Sequence, residues 1–156
     1  MGGEYVLPFG FRTQSGTLDH HLVFATKNLD PAKKVMKGIM SRASSVIDVD
    51  GVGNFEFDPK ASERQSSLLR TVRRLDGLKS DLLSAFSGRK IRVGDVYEEY
   101  EGTHDTPFTF KNYQDALREL TYDAERLKVE KGGFVLAESN VRHRHMHELY
   151  DLTFPP

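Results

Sequence analysis

Residues Val93–Ala137 read VGDVYEEYEGTHDTPFTFKNYQDALRELTYDAERLKVEKGGFVLA, and the parsing of this stretch decides the fold. Val96, Tyr97 and Tyr100 fall on one side of a short helix over Val93–Tyr100, as the 3.6-residue period requires. A turn follows from Gly102 to Pro107. Thr109 has the chemistry of a helix cap, and the next helix runs from Phe110 to about Arg126 with Tyr113, Ala116, Leu117, Leu120 and Ala124 inward. Leu127–Ala137 then reads as two strands joined at Lys131-Gly132-Gly133, a hairpin signal. Upstream, Leu68, Leu69, Val72, Leu75, Leu78, Leu82, Leu83 and Phe86 form an apolar stripe that predicts a longer helix from about Ser62. Gly88 is placed to end that helix, and Gly77 is a point where it could break in two. Helix, short helix, helix and hairpin make the order of a winged helix-turn-helix.

The chain before this core predicts a different arrangement. Tyr5–Arg12 (YVLPFGFR) and His20–Ala25 (HHLVFA) read as strands, and Thr13-Gln-Ser-Gly16 between them is turn chemistry, so the two pair as a hairpin. Asp30 and Pro31 are suited to start a helix, which Val35, Met36, Ile39 and Met40 carry to about Ser44. Val46–Asp58 (VIDVDGVGNFEFD) is a Gly-interrupted short strand or loop. The predicted fold class is therefore α+β, an N-terminal β-hairpin and helix followed by a winged helix-turn-helix. The expected divisions are residues 1–59, 60–137 and a histidine-containing tail over 138–156, whose Leu149, Tyr150, Leu152 and Phe154 could fold back on the body.

Composition narrows the chemistry. The chain has 156 residues and no cysteine, so disulfides, thiolate metal sites and cysteine nucleophiles are excluded. The N-terminus MGGEYVLPFGF has no basic region before an apolar core, unlike a signal peptide, and no apolar window reaches the roughly 18 to 20 residues of a membrane span. A cytoplasmic protein is the expectation. The net charge of -1 hides a split. Residues 60–92 carry nine basic residues against three acids, and residues 93–130 carry ten acids against four basic residues.

Two stretches invite a catalytic or metal reading. His20 and His21 follow Asp19 directly, but neighbouring side chains on a strand point to opposite faces, so the pair cannot readily chelate one ion. The apolar run after them predicts a strand in a covered sheet. His143, His145 and His147 have a possible metal spacing, yet no partner ligand elsewhere is evident, and a solvated basic tail is the simpler reading. No serine occupies a G-x-S-x-G elbow, and Glu98, Glu99 and Glu101 read as a solvated helix face. The sequence leans away from an enzyme and implies no metal or cofactor.

The segments LPFGFRTQSGTLDHHLVFATKNLDPAKKVMKGIMSRAS (7–44), LLSAFSGRK (82–90) and FKNYQDALRELTYDAERLKVE (110–130) together resemble three-Cys-motif partner proteins. The first is similar to the end of their methyltransferase-like domain and the others to the winged helix that follows it. The resemblance implies a sheet that elsewhere binds S-adenosylmethionine through a Gly-rich turn after an early strand. Gly51-Val-Gly53-Asn54 lacks that strand-to-helix context, so the methyltransferase activity is not expected here.

For the winged helix two partners are expected. DNA would be met by Arg70, Arg73, Arg74, Arg89, Lys90 and Arg92 on its phosphates, with Lys111, Asn112, Gln114 and Arg118 of the third helix nearer the bases and Lys128 and Lys131 on the wing. Asp115, Glu119 and Asp123 oppose that approach. The alternative is a protein-interaction module that docks on a methyltransferase-like or three-Cys-motif partner. A hairpin with an open edge adds a third partner, a second copy forming a homodimer.

Overall fold

The computed structural model describes residues 5–27, 30–45, 47, 50–61, 74–104, 106–122, 127–131, 134–135 and 150–156. The architecture is mixed α+β, and the chain divides into two compact units, Met1–Arg74 with Pro107–Phe110, and Leu75–Thr106 with Lys111–Pro156.

In the first unit, β1 (Tyr5–Arg12) and β2 (Leu18–Thr26) form the predicted antiparallel hairpin, in register from Tyr5↔Thr26 to Phe11↔His20. The turn closes through the Gly16 N–H donating to the Thr13 carbonyl (2.9 Å), with Gly16 at φ 83°, a conformation that suits glycine. Helix α1 (Asp30–Ala43) lays Met36 and Met40 over Tyr5, Leu7 and Phe9, and this is the unit's apolar core. The segment after α1 adds β3 (Glu56–Phe57), parallel to β1, so the strand order is β2-β1-β3. The sequence placed the β2 run in a covered sheet. Instead β2 is an edge strand, and Leu22 and Val23 are each 57% exposed. Apolar composition alone does not distinguish an edge from a centre.

Residues before β3 pack closely on α1. The Gly53 N–H donates to Ser41 Oγ (3.2 Å), and a Cβ at Gly53 would lie 2.5 Å from the Ser41 carbonyl oxygen. Glycine is there because two backbones meet.

The second unit begins with α2 (Arg74–Ala85), which buries Leu75, Leu78 and Leu82. The helix runs through Gly77 without a break, and Gly88 at φ 70° closes the turn after it. The part of the predicted helix before Arg74 lies outside the described residues. Strand β4 (Lys90–Arg92) leads into α3 (Val93–Thr103), and α4 (Phe110–Tyr122) follows. Strands β5 (Lys128–Lys131) and β6 (Phe134–Val135) pair antiparallel as the predicted wing. The tail supplies β7 (Asp151–Thr153), giving the sheet order β4-β7-β5-β6.

The sequence read neither β4 nor the central place of β7. Three residues are too few to display a strand period, but their backbone bonds are extensive. The Gly88 N–H donates to the Pro155 carbonyl (2.8 Å), the Phe154 N–H to Arg89 (2.9 Å) and the Val93 N–H to Tyr150 (2.9 Å). Leu152 is 0% exposed and Phe154 stacks against Phe86 at 5.5 Å between ring centroids. The end of the tail over 150–156 is thus core, as Tyr150, Leu152 and Phe154 hinted, while Leu149 lies outside the described residues.

Two glycines make opposite predictions. Gly53→Ala should lower stability by about 1–3 kcal/mol, because the neighbouring backbone must move. Gly77→Ala meets open space inside a helix and should raise it by roughly 0.5–1 kcal/mol. Urea unfolding of the two variants checks both signs.

Candidate nucleic-acid interface

The helix-turn-helix elbow is built around a buried carboxylate. Glu101, near the end of α3, is 4% exposed. Its Oε2 accepts hydrogen bonds from Thr106 Oγ1 (2.7 Å) in the turn and from the Tyr113 hydroxyl (3.1 Å) on α4. One side chain therefore ties together two helices and the turn between them. Burial, then the neighbouring charge of Glu101, pushes the Tyr113 phenol well above its ordinary value, so it stays protonated as a donor. Tyr97 packs edge-on against Tyr113 at 5.0 Å. This orients α4 by packing and by hydrogen bonding together.

On α4 the buried face is Tyr113, Ala116, Leu117 and Leu120, as the period predicted. Asn112 was expected outward beside Lys111. It is 3% exposed and lies on the core side, because position 112 falls next to Tyr113 and Ala116 around the helix. A base contact by its amide is not available in this structure. Lys111 is exposed, and Gln114 and Arg118 are half-buried. Lys111, Gln114 and Arg118 form one stripe by helical spacing. Asp115 sits beside it, 2.9 Å from Lys111 Nζ and 3.2 Å from Arg118 Nη2. One carboxylate thus holds both cations of the stripe.

The other expected phosphate contacts are distributed differently. Arg89 makes a two-pronged ion pair with Glu99 on α3 (2.6 and 2.9 Å), and that hydrogen bonding holds the Glu99 carboxyl below its ordinary value. Lys90 pairs with Glu130 on β5, and Arg92 lies 3.9 Å from Asp151 on β7. Lys90 and Arg92 flank the buried Ile91, so both project from the solvent side of the sheet. Lys128 is exposed and shares their side, because Lys90 and Lys128 both oppose Thr153 across β7. Lys111 and Arg118 instead belong to α4, which packs against the core from its helical side. The cations expected to act together are divided between these two locations.

Arg74 is exposed at the start of α2. Arg70 and Arg73 lie outside the described residues, as does the side chain of Lys131. His143, His145 and His147 do so too. Sequence reasoning missed Lys79, which reaches Asp76 (2.6 Å) and Glu119 on α4 (2.8 Å). Burial lowers its pKa, but the hydrogen bonds to Asp76 and Glu119 outweigh that and raise it. Its place in the basic block was the available signal, and its partners were not legible.

Among the described residues no group of three or more histidine or acidic side chains could hold a metal ion, and no helix is long and apolar enough to cross a membrane.

Residues 48–130, more than half of the chain, match the family described as GMT-like wHTH domain. No curated protein and no solved structure matches the sequence.

The elbow network can be tested directly. Tyr113→Phe keeps the ring packing and removes one hydrogen bond to a buried carboxylate, so it should cost about 1.5–3 kcal/mol. Thermal and urea unfolding report the loss.

Proposed function

Because the chain belongs to the GMT-like wHTH domain family, we propose that its winged helix binds duplex DNA, without catalysis, through the Lys111, Gln114 and Arg118 stripe of α4. The observation that carries this reading is the stripe itself. Lys111, Gln114 and Arg118 stand at recognition-helix spacing on the helix that follows the turn, with their opposite face locked into the core. Lys and Arg suit phosphates, Arg also suits guanine edges, and the Gln114 amide suits adenine.

The ion pairs with Asp115 do not forbid this. Exposed pairs are weak, because water screens them and two side chains must be ordered to form them. A phosphate can displace the carboxylate, and Asp115 then becomes a repulsive neighbour. It acts as an internal competitor that lowers affinity for any duplex. Lys128 and Lys131 of the wing, with Arg70, Arg73 and Arg74, are further candidates for the backbone.

A second reading has its own support. The cations Arg89, Lys90 and Arg92 all lie close to acids of the same unit, which leaves little uncompensated charge for a polyanion and suits a surface that docks on protein. The resemblance to three-Cys-motif partner proteins supports a methyltransferase-like or three-Cys-motif partner in that role.

Fluorescence anisotropy with a random-sequence duplex across a salt series separates the readings. DNA binding should weaken steeply with salt, and Lys111→Ala/Arg118→Ala should reduce the log–log slope by about 1 per cation removed. Asp115→Asn, which frees both cations, should tighten binding several-fold. Absence of binding at low salt in both the wild type and Asp115→Asn would overturn the DNA reading and leave protein docking.

A further inference from the structure

The first unit has an open edge. β2 is nine residues long and, among the described residues, pairs only on its β1 side. Natural sheet edges are usually blunted by lysine, proline, a bulge or shortness. Here LDHHLVFAT contains no lysine or proline, and the only irregularity in its pairing lies at the far end, between Phe11 and Arg12. The residues from Leu22 to Ala25 carry no charge.

The hydrogen-bonding phase of that edge follows from its neighbours. The Gly10 N–H donates to the Phe55 carbonyl (3.0 Å), so Gly10 faces β3. Phe9 and Phe11 therefore face β2, and their partners Leu22 and His20 bond inward. His21, Val23 and Ala25 then present their N–H and C=O groups at the open edge.

We propose that a second copy of this chain pairs antiparallel along β2, with the two-fold axis at Leu22. An isologous contact demands that the strand complement itself, and this register does so from His20 to Phe24, short of the irregularity at Asp19. His21 faces Val23 as a hydrogen-bonded pair that uses the outward groups. His20 faces Phe24, and Leu22 meets Leu22 of the partner chain as a non-hydrogen-bonded pair. No like charges oppose each other. Moving the axis one residue toward the N-terminus would set His21 against His21.

A symmetry mate would extend the sheet from three strands to six and set the exposed Leu22 of each copy against its equivalent.

The wild-type chain should sediment as a dimer, and Leu22→Arg, which sets two cations face to face, should sediment as a folded monomer. The chain has no cysteine, so single-cysteine variants report the register. Non-hydrogen-bonded partners stand about 4.5 Å apart between Cα atoms, within disulfide reach. Leu22→Cys should thus cross-link into dimers under mild oxidation, and Leu18→Cys should not. A wild-type monomer at high concentration would overturn the proposal and assign the edge to a different molecule. Equal cross-linking of the two cysteine variants would overturn the register and the axis with it.

Discussion

The second unit depends on the insertion of β7 between β4 and β5. Among the described residues, its three residues are the only link between a strand at Lys90–Arg92 and one at Lys128–Lys131. Without them the wing hairpin has no path of hydrogen bonds to the rest of the sheet. The helices supply apolar side chains, but Leu152 and Phe154 complete the layer that they pack against. These contacts join positions far apart in sequence, so the loop-closure entropy between them must be met before they form. The wing is therefore set by the end of the chain, a non-local consequence of the sequence.

The charge split of the sequence has a structural meaning that composition could not provide. Basic residues of 60–92 find acids of 93–130 as partners, in the pairs Lys79–Glu119, Arg89–Glu99 and Lys90–Glu130. Two blocks of opposite sign can signify a basic footprint for nucleic acid beside an acidic surface. Here, among the described residues, they also act as complementary halves of one unit. On the proposed DNA reading, the charge left for a duplex is small, and the α4 cations Lys111 and Arg118 are shared with Asp115. An affinity governed by such a remainder is sensitive to single carboxylates, and Asp115 is the one best placed to set it.

Helical elements were legible because their periods are long enough to repeat. Tyr113, Ala116, Leu117 and Leu120 give two turns of one face, and Leu75, Leu78 and Leu82 do the same for α2. The β1–β2 hairpin was legible from its turn residues. The strands KIR and DLT were not, since each is shorter than any pattern that could mark it. Exposure of β2 was hidden because an edge strand and a buried strand share the same apolar composition. For the candidate site, the helix and its stripe could be read but the electrostatics could not. Lys79 and Lys90 meet acids forty positions away, and no local rule connects residues at that distance. Asn112 was misplaced for a smaller reason, since one step around a helix is 100° and moves a boundary residue from solvent to core.

The two sheets end their edges in contrasting ways. In the second, β4 and β6 have three and two residues, and β4 bears Lys90 and Arg92 on its solvent side. Short, charged edges discourage further strands. In the first, β3 is equally short, but β2 is long and uncharged over its second half. Both edges belong to one chain under the same demand for solubility, so a general tolerance of exposed strands cannot explain the difference. The cost of leaving Leu22 and Val23 in water is avoidable by ordinary polar substitution. Its retention, on the strand whose outward groups are in phase for a partner, is what a surface shaped for another strand would require.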